Sequence, residues 1–92
     1  MRKKSESEIQ TEITKYLESR GYYVIKIIRA NKSGVADLAV CADGKYIAIE
    51  VKAVGKRKNT TQLQKFHLDL VRKSGGKALV ADSVWDIIEE GL

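Results

Sequence analysis

Apolar residues recur at helical spacing near the start of the chain, at Ile9, Ile13, Tyr16 and Leu17. Ser5 and Glu8, three apart, precede them in the pattern of a capping box, and Gly21 supplies the stop, so a helix is expected between them. From Tyr22 to Arg29 the chain is dense in aromatic and β-branched residues and predicts a strand. Asn31-Lys32-Ser33-Gly34 then brings turn chemistry, and Val35 to Cys41 predicts a second strand. Asp43-Gly44 follows, the residue pair that tolerates positive φ at both centres of a type I′ turn. Tyr46 to Lys52 alternates apolar Ile47, Ile49 and Val51 with Ala48, Glu50 and Lys52, the period of a strand. The second and third strands are therefore expected to pair antiparallel.

Gly55-Lys56-Arg57-Lys58-Asn59 is a basic loop, after which Thr60 or Thr61 caps a helix whose Leu63, Phe66, Leu70 and Val71 form an apolar stripe expected to face the core. Gly75-Gly76 ends it, Lys77 to Ala81 predicts a short strand, and Asp82 or Ser83 caps a last helix carrying Val84, Trp85, Ile87 and Ile88. Trp85 is expected in the core or in a dimer interface. The predicted order is α-β-β-β-α-β-α, an α/β fold in which a helical crossover between the last two strands makes them locally parallel and the sheet mixed, with helices on its faces. Ninety-two residues with 43% hydrophobic content make one domain, residues 1–92.

Seventeen Lys and Arg against twelve Asp and Glu give a net charge of +5, which favours a polyanionic partner. Acidic and polar Ser5 to Glu8 stand where a signal peptide would need an apolar stretch, and no apolar run approaches the ~20 residues of a membrane span. A soluble cytoplasmic protein is expected. A single cysteine, Cys41, excludes an internal disulfide, and with His67 as the one histidine there is no zinc cluster. His67, close to the apolar stripe of its helix, is expected to pack rather than to act as a base.

The chemistry concentrates in Asp37 and Glu50-Val51-Lys52. Side chains two apart on a strand share a face roughly 6.6 Å apart, so Glu50 and Lys52 present an anion and a cation together, while Val51 turns inward and leaves its carbonyl nearby. The Asp43-Gly44 hairpin would bring Asp37 beside them. An acid within the apolar run Val35 to Cys41 is costly unless it is paired or bound to a metal. Two carboxylates plus substrate phosphate is the usual protein contribution around magnesium, and a neighbouring lysine can orient water or steady developing charge. Gly34 would clear space for a close-approaching phosphate and Ser33 would donate to it. Lys56, Arg57 and Lys58 leave the site directly, Arg29 and Lys32 flank the Ser33-Gly34 turn, and all five are candidates for phosphate contact.

Glu8 in the first helix, Ser33-Gly34-Val35-Ala36-Asp37, Ile49-Glu50-Val51-Lys52 and Gln64 together resemble the VRR-NUC branch of the restriction-endonuclease-like superfamily, in its stand-alone phage or bacterial form. The resemblance covers nearly the whole chain and the element order. It departs at Ala36, where the superfamily often has proline. What the resemblance implies is a divalent-metal-dependent endodeoxyribonuclease, similar to Holliday-junction resolvases, working as a homodimer on branched DNA in a bacterial or phage-infected cytoplasm. It would use Mg2+ or Mn2+ held by Asp37, Glu50 and the Val51 carbonyl, with no small-molecule cofactor. By the same resemblance Lys52 would be catalytic and Glu8 and Gln64 would complete the site. Ser5-x-x-Glu8 and Thr61-x-x-Gln64 also read as capping boxes, and neither role excludes the other. The competing reading is a catalytically silent DNA-binding module on the same fold.

Overall fold

The computed structural model describes residues 2–92. Its elements are α1 (Glu6–Ser19), β1 (Tyr23–Lys26), β2 (Leu38–Ala42), β3 (Lys45–Val51), a 3-10 turn (Arg57–Asn59), α2 (Gln62–Lys73), β4 (Lys77–Ala81) and α3 (Val84–Glu89). Apart from the short 3-10 turn, the order is the expected one. The sheet runs β1-β2-β3-β4, antiparallel between the first three strands and parallel between β3 and β4.

Each helix begins where a side chain satisfies the free backbone donors of its first turn. Ser5 and Glu8 form a full capping box on α1, Thr61 and Gln64 do the same on α2, and Ser83 accepts from Asp86 N on α3. Asp43 (φ 52°) and Gly44 (φ 78°) are both left-handed, so the β2–β3 hairpin turns as its residues require. That turn fixes the register at Ala42↔Lys45 through Leu38↔Ile49.

The register sorts the side chains. Leu38, Val40, Ile47, Ile49 and Val51 face the layer formed by α1 and α3, where Ile9, Ile13, Leu17 and Ile87 complete the main core. Ala48, Ala78 and Ala36 face α2, packing with Leu68 and the half-buried Val71 and Val80 in a smaller cluster. The small residues let α2 lie close over β3 and β4. β3 is buried on both faces over its last five residues, as befits an inner strand between two layers.

Two expectations are corrected here. The stripe Leu63, Phe66, Leu70 is not the buried face of α2: these side chains are 45%, 56% and 40% exposed, while Leu68 carries the packing. Helical periodicity gives a stripe's existence but not which neighbour covers it. Of the two places expected for Trp85, the core is the one corrected: the side chain is 63% exposed, and the core takes Ile87 from α3 instead. Strands β1 and β2 are also shorter than the apolar runs, because the segment between Ile27 and Asp37 leaves the ladder as irregular backbone.

Gly34 anchors that irregular segment. Its φ is +83°, and a Cβ there would lie 2.6 Å from Leu63 Cγ and 3.2 Å from His67 Cδ2. Strain and overlap act together, so Gly34→Ala should destabilise the protein by about 2 kcal/mol or more in chemical denaturation. Adding Leu63→Ala should return only the part due to overlap. A Gly34→Ala variant within ~0.5 kcal/mol of wild type would contradict this packing.

Candidate nuclease site

The β2–β3 ladder ends at Leu38↔Ile49, and one further step of the same register sets Asp37 opposite Glu50. Asp37 does not continue the strand, although its carbonyl accepts from Ile27 N at 2.8 Å. Its side chain turns toward β3, where Oδ2 accepts from Val51 N at 2.8 Å. The aspartate is thus held by the backbone of the strand that carries Glu50. The sequence places Asp37 inside a strand; the structure places it at the first residue before one, because its carboxylate takes up a β3 amide itself.

Glu50 is 2% exposed. It faces α2, on the side of the sheet where Ala48 packs, and Gln64 Nε2 donates to its Oε2 at 3.1 Å. Lys52 Nζ lies 3.6 Å from the same oxygen. Oε1 is buried without a hydrogen-bond partner among the described residues. Burial, and next the charge of Asp37, push the Glu50 carboxyl up to about 7, against the opposing pull of Lys52. A buried carboxylate beside another, with one oxygen free, is the donor chemistry of a hard divalent cation.

Lys52 is the first residue beyond β3, tied by its amide to Ala81 O of β4 at 2.9 Å. Its side chain is only 13% exposed, and Nζ donates to Gln64 Oε1 at 2.9 Å. That same oxygen accepts from Thr61 N at 2.9 Å as the capping box of α2. With Oε1 engaged by two donors, Gln64 has its amide orientation fixed, and its Nε2 is directed at Glu50. Capping and site roles therefore coexist in one side chain.

Glu8 is different. It is exposed, closes the α1 capping box with Ser5 N at 3.0 Å and pairs with Arg2, a partner and hydrogen bonds that hold its carboxyl down near 2. Among the described residues no three His, Cys, Asp or Glu side chains cluster, so Glu8 does not join Asp37 and Glu50. Its placement matches the cap and not the site.

The basic residues divide. Lys56, Arg57 and Lys58 are all exposed, but Arg57 is engaged by acids of its own chain, 3.4 Å from Asp86 and 3.9 Å from Asp82. Asp82 also accepts from Gly55 N at 2.9 Å. Asp82 was legible only as a possible cap for α3, yet it pins the loop that leaves the site; a contact 27 residues apart leaves no local trace. Arg29, Lys32 and Ser33 are exposed. Gly34 is not an open clearing, since Leu63 and His67 occupy the space above it. Sequence reasoning also passed over Gln10, whose Oε1 is, among the described residues, the other buried side-chain atom without a partner.

The elevated carboxyl has a consequence for stability. An unfolded Glu50 ionises near the ordinary value of 4.5 while the folded one holds its proton to about 7, so the folded state is progressively penalised as pH rises through that window. Glu50→Gln removes the penalty. In metal-free buffer it should raise Tm at pH 8 by roughly 5 °C or more and leave it nearly unchanged at pH 4. An equal effect at both values would show that burial of charge is not what Glu50 imposes.

No family model matches the sequence, and no curated protein matches it. Solved structures do. One described as "VRR_NUC domain" is 28% identical, superposes with a TM-score of 0.73, and the match covers 91% of this chain and 90% of that one. Another, a "VRR_NUC domain protein", is 21% identical with a TM-score of 0.78 over 97% of this chain and 86% of that one, a likeness of fold. Near end-to-end superposition, the α-β-β-β-α-β-α order, and Asp37 opposite Glu50-Val51-Lys52 agree, and the chain has the fold of the VRR-NUC domain proteins that it matches.

Proposed function

We propose that this nuclease-fold protein is a divalent-metal-dependent endodeoxyribonuclease that hydrolyses phosphodiester bonds in branched DNA, with four-way junctions the leading substrate, and that it acts as a homodimer. The observation that carries the reading is Glu50 Oε1, a buried and unpartnered carboxylate oxygen beside Asp37. Left as it is, the pair is an unfavourable arrangement of like charges. A divalent cation removes the conflict.

Asp37, Glu50 and the Val51 carbonyl would hold Mg2+ or Mn2+, which when bound supplies a more acidic water and neutralises charge on the phosphate. The protein's own groups do the positioning. Gln64 occupies Glu50 Oε2 and leaves Oε1 for the cation. The same amide holds Lys52 Nζ beside the carboxylates, where the ammonium orients the attacking water or steadies the phosphoryl oxygens as charge builds. Val51 N fixes Asp37 from behind. No part is assigned to Glu8.

Around this centre, exposed Lys56 and Lys58 on one side and Arg29, Lys32 and Ser33 on the other would take backbone phosphates, in keeping with the net charge of +5. Arg57 serves the loop's shape through Asp82 and Asp86. Two sites related by a two-fold axis suit a substrate with the rough symmetry of a junction. No helix among the described residues is long and apolar enough to cross a membrane, and the reading places the protein in a bacterial or phage-infected cytoplasm.

The test is a cleavage panel of duplex, flap, splayed-arm and four-way substrates with Mg2+ or Mn2+. Branched substrates should be nicked, chelation should stop the reaction, and Glu50→Ala and Lys52→Ala should each slow it by at least ~10²-fold. Variants that cut as well as wild type would refute the mechanism. Salt-sensitive junction binding without cleavage in either metal would establish the silent binding module instead.

A further inference from the structure

The site of Asp37 and Glu50 continues into a groove between α2 and the sheet. Tyr46, Ala48 and Glu50 alternate along β3 onto one face, and Ala48 packs there with Leu68 of α2. The groove has a volume of about 360 Å3, and Lys32, Ala36, Tyr46, Ala48, His67 and Ser74 are among its lining residues. Three of them adjoin the site. Ala36 directly precedes Asp37, Ala48 stands two residues from Glu50, roughly 6.6 Å along the strand, and His67 lies one helical turn beyond Gln64. The groove thus opens within the reach of one sugar from the carboxylates. Tyr46, 42% exposed, supplies an aromatic ring from the sheet. The half-buried His67 supplies a planar ring from the helix, edge-on to Phe66 with centroids 5.6 Å apart. Lys32 is the one lysine or arginine among the lining residues, and none of them is acidic.

We propose that this groove is a base-accepting subsite: the nucleotide next to the phosphate at Asp37 and Glu50 turns its base out of the stack and lays it on Tyr46, with His67 and Ser74 meeting its polar edge and Lys32 its backbone. The assignment deepens the nuclease reading and rests on it for the position of the DNA. Size, charge and continuity select this occupant. The volume lies at the low end of the ~300–1,000 Å3 of small-ligand pockets, room for a single base. A largely apolar slot with a cation and no carboxylate suits a ligand that is flat and stackable in one part and anionic in the next. The imidazole and the hydroxyl can each donate or accept, so they meet the edge of any base without choosing one. Extruding a base costs stacking and pairing energy, least where it is already unpaired. A groove that rewards extrusion beside the scissile phosphate therefore favours nucleotides at a branch point over those within a duplex.

The experiment measures binding of the full chain to splayed-arm DNA by fluorescence anisotropy in metal-free buffer, with one abasic nucleotide moved step by step across the branch point. Wild type should lose about 10-fold in affinity when the base is missing at one position and less than about twofold elsewhere. Tyr46→Ala, at a partly exposed position, should keep the circular dichroism of wild type. It should lose about 10-fold on intact DNA and no more than about twofold on DNA abasic at the sensitive position, where the base it would stack is already gone. Tyr46→Phe retains the ring and should bind as wild type does. In wild type itself, 4-thiothymidine at that position should photocross-link to Tyr46 or His67. Wild type indifferent to every abasic position, a cross-link on neither residue, or a folded Tyr46→Ala that loses equally on intact and abasic DNA would each overturn the subsite. An equal loss accompanied by a changed sedimentation mass of the DNA-free protein would give the groove to a second copy and overturn it likewise. The predicted coupling without cleavage in Mg2+ or Mn2+ would leave the subsite standing and remove the nuclease reading, and cleavage without the coupling would do the reverse.

Discussion

Carboxylates placed opposite each other on neighbouring strands repel, and burial of one of them sharpens the conflict because its charge can no longer be shared with water. Asp37 and Glu50 are set in that relation by the Asp43-Gly44 turn, whose two left-handed residues fix the β2–β3 register. The rest of the site answers to this pair. Asp37 leaves the ladder and takes the Val51 amide, Gln64 takes one oxygen of Glu50, and Lys52 closes in from the same face. What remains unanswered is Glu50 Oε1. A core that tolerates such an atom does so because the surrounding layers, with Ile49 and Val51 wholly buried below it, hold the strand whether or not the carboxylate is content.

The helix caps tie folding to the site. Thr61 and Gln64 satisfy each other's backbone donors at the start of α2, and the side chain that completes the cap also bridges Lys52 and Glu50. Formation of α2 on the sheet therefore arranges the polar groups in one step. On α1 the equivalent box, Ser5 and Glu8, faces solvent with Arg2, and serves the helix alone. The same four-residue pattern thus has two outcomes, decided by what lies opposite the helix end.

That distinction marks where sequence reading stops. Element order, the type I′ hairpin, the mixed sheet and the meeting of Asp37 with Glu50 and Lys52 were all legible, because turn residues and strand alternation are local signals whose consequences propagate through register. The stripe Leu63, Phe66, Leu70 was legible as a stripe, but its exposure depends on Ala48 and Ala78 letting Leu68 do the packing. Gly34 read as room for a ligand and turned out to be room for Leu63, since φ and turn chemistry say that a glycine is needed without saying what approaches it. Arg57 read as a free cation because Asp82 and Asp86, its partners, arrive from another element.

The central claim is that the Asp37–Glu50 pair is built for a divalent cation. Titration of the protein with Mn2+, followed by the loss of the free-ion signal in electron paramagnetic resonance, measures this without any substrate. Wild type should show a saturable site whose affinity falls as pH is lowered through about 7, where Glu50 takes its proton, and both Glu50→Gln and Asp37→Asn should abolish it. Binding that is unchanged in these variants, or no saturable binding by wild type at pH 8, would contradict the account.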